Sequence, residues 1–186
     1  MLKIPFDNKI YKLFYHGSPD NFDIADTTHS KKYKDFGSGF YLGPHYGPAK
    51  DWALNYGARS VGYVHYYIVP IDIYNKFNSY RFQKASENWL DFVIANRNGK
   101  IIKSFQDYDF ISGDTADAHA QALIDDYTNN IKIFGENPIL KKQLLYRLHT
   151  ENLPYQVCIK TESCLKYFQK LAVVEVRNSG QEIRRY

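Results

Sequence analysis

The order of strand-like and helix-like segments along the chain most constrains how it can fold. Segments rich in β-branched and aromatic residues lie near the beginning, at 10–15 and 62–69, and near the end, at 155–160 and 171–176. Segments with helical spacing of apolar residues predominate between them. This distribution favours an α+β fold with a mostly antiparallel sheet over the regular alternation of a doubly wound βαβ array.

Shorter elements complete the prediction. The pattern predicts helices over 48–59, 86–96, 115–127, 138–149 and 163–170, and short strands over 40–42 and 108–112. Asp114 is the predicted N-cap of the helix at 115–127. The chain contains no internal repeat and no linker-like tract, and its 186 residues suit one domain spanning 1–186.

Composition excludes several classes of protein. Hydrophobic residues make up 44% of the chain and charged residues 24%, which is typical of a globular protein and not of a disordered chain or a coiled coil. The net charge of +4 is too small to indicate nucleic-acid binding without clustering. The unusual feature is the aromatic content of 17 Tyr, 12 Phe and 2 Trp, because rings stack on flat ligands as well as packing cores.

The cysteines and the apolar segments indicate a reduced protein without a membrane span. Cys158 and Cys164 form no zinc-binding or disulfide pattern. The most apolar stretch, 61–73, is far shorter than a transmembrane helix, and the first fifteen residues are interrupted by charges unlike a signal peptide. We therefore expect a cytoplasmic protein that does not associate with membranes.

Three segments combine residue types suited to ligand chemistry. They are YHGS at 15–18, DFGSGFYLGPHYGPAKDW at 35–52 and YQVCIKT at 155–161. In the first, a histidine ends a strand at a glycine turn, and the glycine main chain can approach and pair with a planar carboxamide. Taken one at a time, such segments are usually a turn, a loop and a solvated strand edge.

In this order, the three segments resemble the ADP-ribosyltransferase fold of the diphtheria-toxin and poly(ADP-ribose) polymerase type. Within that fold they resemble an uncharacterised bacterial family marked by YHGS, DFGxGFY and a glutamine in the third motif. The resemblance is specific over 13–69 and 153–176. It implies a split, mostly antiparallel sheet that clamps NAD as a co-substrate, with a helical insertion at about 84–150.

The resemblance also implies roles for individual residues. The catalytic residues it implies are His16, Tyr41 and Gln156. The NAD-binding residues it implies are His16, Gly17, Ser18, Gly39, Phe40, Tyr41 and Trp52. Tyr41 and Trp52 would stack on the cationic nicotinamide ring. His16, with Ser18 beside it, would hydrogen-bond a ribose hydroxyl while the main chain of Gly17 holds the carboxamide, and no metal is implied.

In the ADP-ribosyltransferase fold as a whole, the third motif usually supplies a glutamate, and Gln156 departs from that pattern. An amide can orient a ribose hydroxyl, but it neither adds negative charge nor acts as a general base. Two hypotheses follow. One is transfer of a single ADP-ribose to an unidentified protein or nucleic acid, in the setting of a bacterial toxin–antitoxin or effector system with a cognate antitoxin. The other is an NAD- or ADP-ribose-binding module without catalysis.

Nearby charged residues leave further alternatives. One alternative is that Glu151 or Glu162, which lie close to Gln156 in sequence, compensates for the charge that Gln156 lacks. Glu162, however, is more typical of a helix start. The sequence GDTADAH at 113–119 offers Asp114, Asp117 and His119 to a metal-dependent hydrolase, but its aspartates also suit a helix cap and first turn. The basic run at 31–34 suits either phosphate contacts or a solvated loop.

Overall fold

The structure of the protein is a computed structural model that describes residues 6–28, 33–55, 57–150 and 153–185. The strands within these ranges are β1 (Tyr11–Ser18), β2 (Phe40–Leu42), β3 (Val61–Pro70), β4 (Ser79–Arg81), β5 (Phe110–Asp114), β6 (Tyr155–Ile159), β7 (Gln169–Arg177) and β8 (Glu182–Arg185). The α-helices are α1 (Tyr46–Ala53), α2 (Ile73–Lys76), α3 (Glu87–Arg97), α4 (Ala118–Phe134), α5 (Pro138–Thr150) and α6 (Glu162–Leu165).

The strands form two four-stranded sheets. The first has the order β1-β3-β7-β8 and is antiparallel throughout. The second has the order β2-β6-β5-β4, with β4 and β5 parallel and the other pairs antiparallel. The α+β class predicted from the sequence is confirmed.

The two sheets meet at a bridge between β1 and the residue after β2. Tyr15 and Gly43 exchange both main-chain hydrogen bonds, with N···O distances of 2.8 Å and 2.9 Å. β1 is therefore bonded along its length to β3 on one side, and on the other side it meets the second sheet at this point.

Three groups of buried apolar side chains hold these layers together. One lies between the sheets, another between the first sheet and α1, and the third between the second sheet and the helices α3, α4 and α5. The group between the sheets includes Phe14, Phe40 and Val157. The group beside α1 includes Tyr15, Ala53 and Val64. The group beside α3, α4 and α5 includes Phe36, Trp89, Ile124 and Leu148. Both faces of the second sheet are covered, which fits its apolar strands.

The helix after β5 begins later than the sequence predicts, and its cap is a different residue. Asp117 caps α4 by accepting hydrogen bonds from the N–H groups of His119 and Ala120, at 3.1 Å and 2.9 Å. Asp114 is the last residue of β5, and its carboxylate accepts from the Ala85 N–H at 3.0 Å. The predicted Asp114 cap is therefore wrong, because β5 extends two residues beyond the predicted strand.

Other boundaries also differ from the prediction. The helix expected over 163–170 is only Glu162–Leu165, because the β-branched run that forms β7 takes over from Gln169. The strand containing His16 continues to Ser18, because β3 supplies paired partners that far. The interval 84–150 includes β5, which lies inside the second sheet.

No helix among the described residues is both long enough and apolar enough to cross a membrane.

Candidate functional site

The three motifs singled out in the sequence lie on β1, β2 and β6, which follow one another across the junction of the sheets. Leu42 on β2 is opposite Val157 on β6, so the next position along the register places Gly43 beside Gln156. Gly43 is also the residue that bridges Tyr15 on β1. The fold therefore brings together segments that are far apart in the sequence.

His16 is held as a neutral ring in one tautomer. Its Nδ1 lies 2.6 Å from the carbonyl oxygen of Tyr41, and a carbonyl only accepts, so Nδ1 carries the hydrogen and Nε2 remains an acceptor. The imidazole stacks on Phe40, with centroids 4.4 Å apart and planes at 18°. Burial is the main cause that lowers the pKa of His16 to about 4. Phe40, an expected NAD contact, is thus a buried support behind His16.

His16 also interrupts the ladder between β1 and β2. Since Tyr15 and Gly43 exchange both bonds, the next exchanging pair of an antiparallel ladder would be Gly17 and Tyr41. The Tyr41 carbonyl accepts from His16 instead. Strand residues two apart direct their main-chain groups to the same edge, so the N–H and C=O of Gly17 point into the gap between β1 and β2. The resemblance implies a carboxamide at this place.

Gly17 also has a packing role that the sequence does not reveal. A Cβ at this position would lie 1.9 Å from the main-chain oxygen of Ala49 on α1, so only glycine permits α1 to rest on β1. The neighbouring Ser18 is buried, and its Oγ accepts from the N–H of Asp20 at 3.1 Å. Ser18 thus fixes the turn after β1 and keeps its hydroxyl hydrogen for another acceptor.

The glycine turn before β2 fits tightly around Tyr41. A Cβ at Gly39 would lie 2.4 Å from the Ile159 oxygen, so β2 and β6 can approach here only with glycine. The Tyr41 hydroxyl donates to the Gly37 carbonyl at 2.6 Å and accepts from the Phe36 N–H at 3.1 Å. Burial is the first cause that raises the pKa of Tyr41. The loop holds the hydroxyl, so the ring is what Tyr41 offers to a ligand.

A cation lies against both of the rings expected to stack on nicotinamide. The Lys34 Nζ is 4.5 Å from the centroid of the Tyr41 ring and 5.3 Å from that of the Trp52 ring. Because both distances are measured from one atom, the two centroids lie within about 10 Å of one another, so a single group contacts both rings. Trp52 is 45% exposed, so this ring pair opens to solvent.

Gln156 is bonded to a carboxylate that the sequence analysis did not single out. Its Nε2 donates to Oδ2 of Asp35 at 3.2 Å. Asp35 is 7% exposed, and it also accepts from Arg97 Nε at 2.8 Å and from the Ala116 N–H at 2.9 Å. Asp35 opens the motif DFGSGFY, but its partner Arg97 stands alone at the end of α3. No local pattern indicates that they meet.

His65 is a second residue that the sequence analysis left without a role. It lies on β3 directly opposite His16, with ring centroids 6.0 Å apart. Its Nε2 is 3.4 Å from the Asp20 carbonyl, and its buried Nδ1 has no hydrogen-bond partner among the described residues. Burial is the main cause that lowers the pKa of His65 to about 3, and the neighbouring imidazole of His16 lowers it further. Two neutral imidazoles therefore lie side by side under the junction.

The two aspartates of the hydrolase hypothesis, Asp114 and Asp117, have structural roles. Asp117 caps α4, and the Asp114 carboxylate is bonded to the main chain at Ala85. Within the part of the chain that the structure describes, no group of three or more His, Cys, Asp or Glu side chains is arranged to hold a metal ion. The geometry gives this hypothesis no support.

The other charged residues considered in the sequence analysis are Glu162, Glu151 and the basic run at 31–34. Glu162 accepts from both the N–H and the hydroxyl of Thr27, at 2.6 Å and 2.7 Å, and so fastens the loop after β1 to α6. Glu151 lies outside the described residues, as do Lys31 and Lys32 of the basic run. Lys34, from the same run, is the cation at the Tyr41 and Trp52 rings.

Two surface grooves of about 410 Å³ and 430 Å³ lie elsewhere, along α3 and α4. Apart from Arg97, which lines the first groove, none of the motif residues or their partners described above borders either groove. We place the candidate site at the junction of the sheets because the main-chain edge and the paired rings are there, and the grooves lack both.

Comparison with known proteins assigns the chain to a family. Residues 12–169 match the family model described as "Protein of unknown function (DUF3990)". The match spans most of the chain, so the protein belongs to this family. Neither the curated proteins nor the solved structures contain a match.

Proposed function

We propose that this protein is a mono-ADP-ribosyltransferase that binds NAD at the junction of its two sheets. The observation that carries the proposal is that the Lys34 ammonium lies over the rings of both Tyr41 and Trp52. Two aromatic faces that accept one cation also suit the nicotinamide of NAD, which is flat and positively charged. The open main-chain edge of Gly17 lies beside them and supplies one donor and one acceptor for the carboxamide.

His16, the residue before Gly17 on β1, would bind the ribose. Its neutral ring presents Nε2 as an acceptor, which suits the hydrogen of a hydroxyl group. Gln156 would accept from a ribose hydroxyl through Oε1. Both contacts hold the ribose while its bond to the nicotinamide nitrogen breaks and the bonding electrons leave with nicotinamide. A nucleophile of the acceptor then bonds to the same ribose carbon and releases its proton.

The acceptor and the setting follow from the resemblance. We propose an unidentified protein or nucleic acid as acceptor, and action in the cytoplasm as a toxin or effector with a cognate antitoxin. Gln156 has no charge to stabilise a developing cation, so the proposal is transfer of one ADP-ribose unit and not chain elongation.

A non-catalytic NAD-binding module is the second candidate. The observation that favours it is the pairing of Asp35 with Arg97, because the carboxylate nearest to Gln156 is already balanced by a guanidinium group. In this reading the site binds NAD but does not break it.

A titration and a release assay distinguish these functions. Purified protein is titrated with NAD by calorimetry, and free nicotinamide is then measured over time with and without EDTA. We expect binding and an EDTA-insensitive release, and binding without release identifies the module.

Tyr41→Ala should weaken NAD binding by about 1–3 kcal/mol, the scale of losing one stacked ring. The control Tyr146→Ala removes an exposed ring on α5 and should change nothing. Unaltered affinity in a folded Tyr41→Ala protein contradicts the proposal.

A further inference from the structure

We infer that Asp35 is a positioning residue that orients the amide of Gln156 and requires an amide at that position. The inference rests on the proposed function, because it gives Gln156 a task at the ribose. Asp35 itself touches no ligand in this account. Its carboxylate acts through Gln156 alone.

The surroundings of Asp35 consist of hydrogen-bond donors. Oδ1 accepts from the guanidinium of Arg97, and Oδ2 accepts from the Ala116 N–H and from Gln156 Nε2. The main-chain carbonyl of Asp35 accepts from Asn96 at 3.1 Å. With α3 and the start of α4 both attached to it, this carboxylate has a fixed place in the fold.

This arrangement determines which way the amide of Gln156 faces. A carboxylate can only accept, so the NH₂ group must be the end that meets Asp35. Oε1 then points away from Asp35, and no described group donates to it. The side chains of Gln156 and Tyr41 lie on the same face of the second sheet, because Tyr41 is paired with Cys158 and Gln156 is two residues from it. The acceptor of Gln156 is therefore held on the side of the sheet that carries the ring pair.

The same contact explains why position 156 carries an amide where the wider ADP-ribosyltransferase fold usually has a glutamate. A glutamate here would bring a second carboxylate within about 3 Å of Asp35, and like charges so close cannot both remain ionised at no cost. It would also offer no hydrogen to Oδ2. The carboxylate therefore lies on the loop before β2, and the amide that bonds to it lies on β6.

Exchanging the two groups tests this inference. The variants are Asp35→Asn, Gln156→Glu and the double variant that carries both changes. In the double variant, the new amide at position 35 can keep its oxygen toward Arg97 and donate from its NH₂ group to the new carboxylate at position 156, but the Ala116 N–H loses its acceptor. The matched control is Gln121→Glu on α4, because Gln121 also donates to an aspartate, Asp125, at 2.7 Å, but outside the site.

Two measurements are made on each variant, namely thermal stability at pH 5 and pH 8, and the kcat and KM of nicotinamide release. Gln156→Glu should lower the melting temperature more at pH 8 than at pH 5, because a protonated carboxyl can donate to Asp35. Adding Asp35→Asn should restore part of this loss at pH 8, because it removes the repulsion between the two carboxylates but also removes the acceptor of the Ala116 N–H. Asp35→Asn alone should lower kcat by about tenfold and change KM by less than about twofold, since a misoriented acceptor matters most in the transition state. The double variant should exceed Gln156→Glu in kcat.

Other results overturn the inference. They are a Gln156→Glu protein with the same melting temperature as the wild type at pH 8, or a double variant no better than the sum of its single changes. A Gln121→Glu control that loses as much kcat as Asp35→Asn also overturns it. Absence of nicotinamide release from the wild type contradicts the proposed transferase and not the Asp35–Gln156 contact, which the coupling in melting temperature then decides.

Discussion

Removing the charge of Lys34 should strengthen the binding of NAD. The ammonium of Lys34 lies 4.5 Å and 5.3 Å from the ring centroids of Tyr41 and Trp52, the two rings on which nicotinamide is proposed to stack. A nicotinamide ring stacked on both faces would displace the ammonium from them. Lys34→Met keeps an unbranched apolar stem and removes the cation, so the ligand no longer has to displace it.

The size of the effect follows from the two contacts. A cation over a ring at a partly exposed site contributes about 0.5–1 kcal/mol, so two rings contribute roughly 1–2 kcal/mol. Release of the lysine side chain returns rotamer entropy, which offsets up to about half of this. We expect a net gain of about 1 kcal/mol, which is roughly a fivefold lower Kd for NAD.

Calorimetry with two ligands measures this gain. ADP-ribose has no nicotinamide, so its Kd should be equal in the wild type and in Lys34→Met. Lys76→Met is the matched control, because Lys76 on α2 lies 5.3 Å from the ring of Tyr167 outside the candidate site. It should leave both Kd values unchanged.

Weaker binding of NAD and ADP-ribose alike in Lys34→Met would refute the reasoning. It would show that Lys34 contacts the ligand, with a phosphate as the natural partner, and does not have to make way for it.

Three further predictions concern the same region. Trp52→Phe should abolish most of the fluorescence change on NAD binding, since a Phe keeps the stacking face; a full change would locate the signal at the other tryptophan. Gly17→Ala should destabilise the fold by about 1–3 kcal/mol or more in denaturant unfolding, because its Cβ meets main-chain atoms of α1, whereas Gly47→Ala on the same helix meets nothing and should be neutral or stabilising. Folding stability should fall as the pH drops below about 6.5, at up to about 1.4 kcal/mol per pH unit for each of His16 and His65, because the unfolded chain takes up the proton first. This loss of stability should end near pH 4 for His16 and near pH 3 for His65, at their lowered pKa values. If His65→Gln leaves the slope of unfolding free energy against pH undiminished in acid, the prediction is contradicted.

Local pattern in the sequence was enough to predict the α+β class and most of the longer elements. The alternating and β-branched segments became β1, β3, β6 and β7, and the amphipathic segments became α3, α4 and α5. The short strands β4 and β8 were not predicted, because three or four residues carry too little periodicity to be distinguished from a loop. Asp114 was predicted as the N-cap of α4 in place of Asp117 because a tertiary contact was not visible in the sequence. Pairing with β6 extends β5 to Asp114, so the helix begins later.

The candidate site was predictable where a motif is contiguous and not where it is assembled across the chain. His16 and Tyr41 belong to segments with recognisable composition. Asp35 and Gln156 are separated by 121 positions, and His65 meets His16 only through the pairing of two strands. Such contacts depend on the order of strands in the sheets, which propensity and spacing do not encode.

The tautomer of His16 makes the gap between the sheets selective for the chemistry of what enters it. Nδ1 has already given its hydrogen to a carbonyl, and the lowered pKa keeps the ring from taking up another at neutral pH. Any group that meets Nε2 must therefore bring its own hydrogen. A hydroxyl satisfies this condition, whereas a phosphate ester or a keto group at the same position would place lone pairs against lone pairs. If the proposed site binds ribose through Nε2, this single nitrogen atom would distinguish a free hydroxyl from its phosphorylated or oxidised form, before any question of size arises.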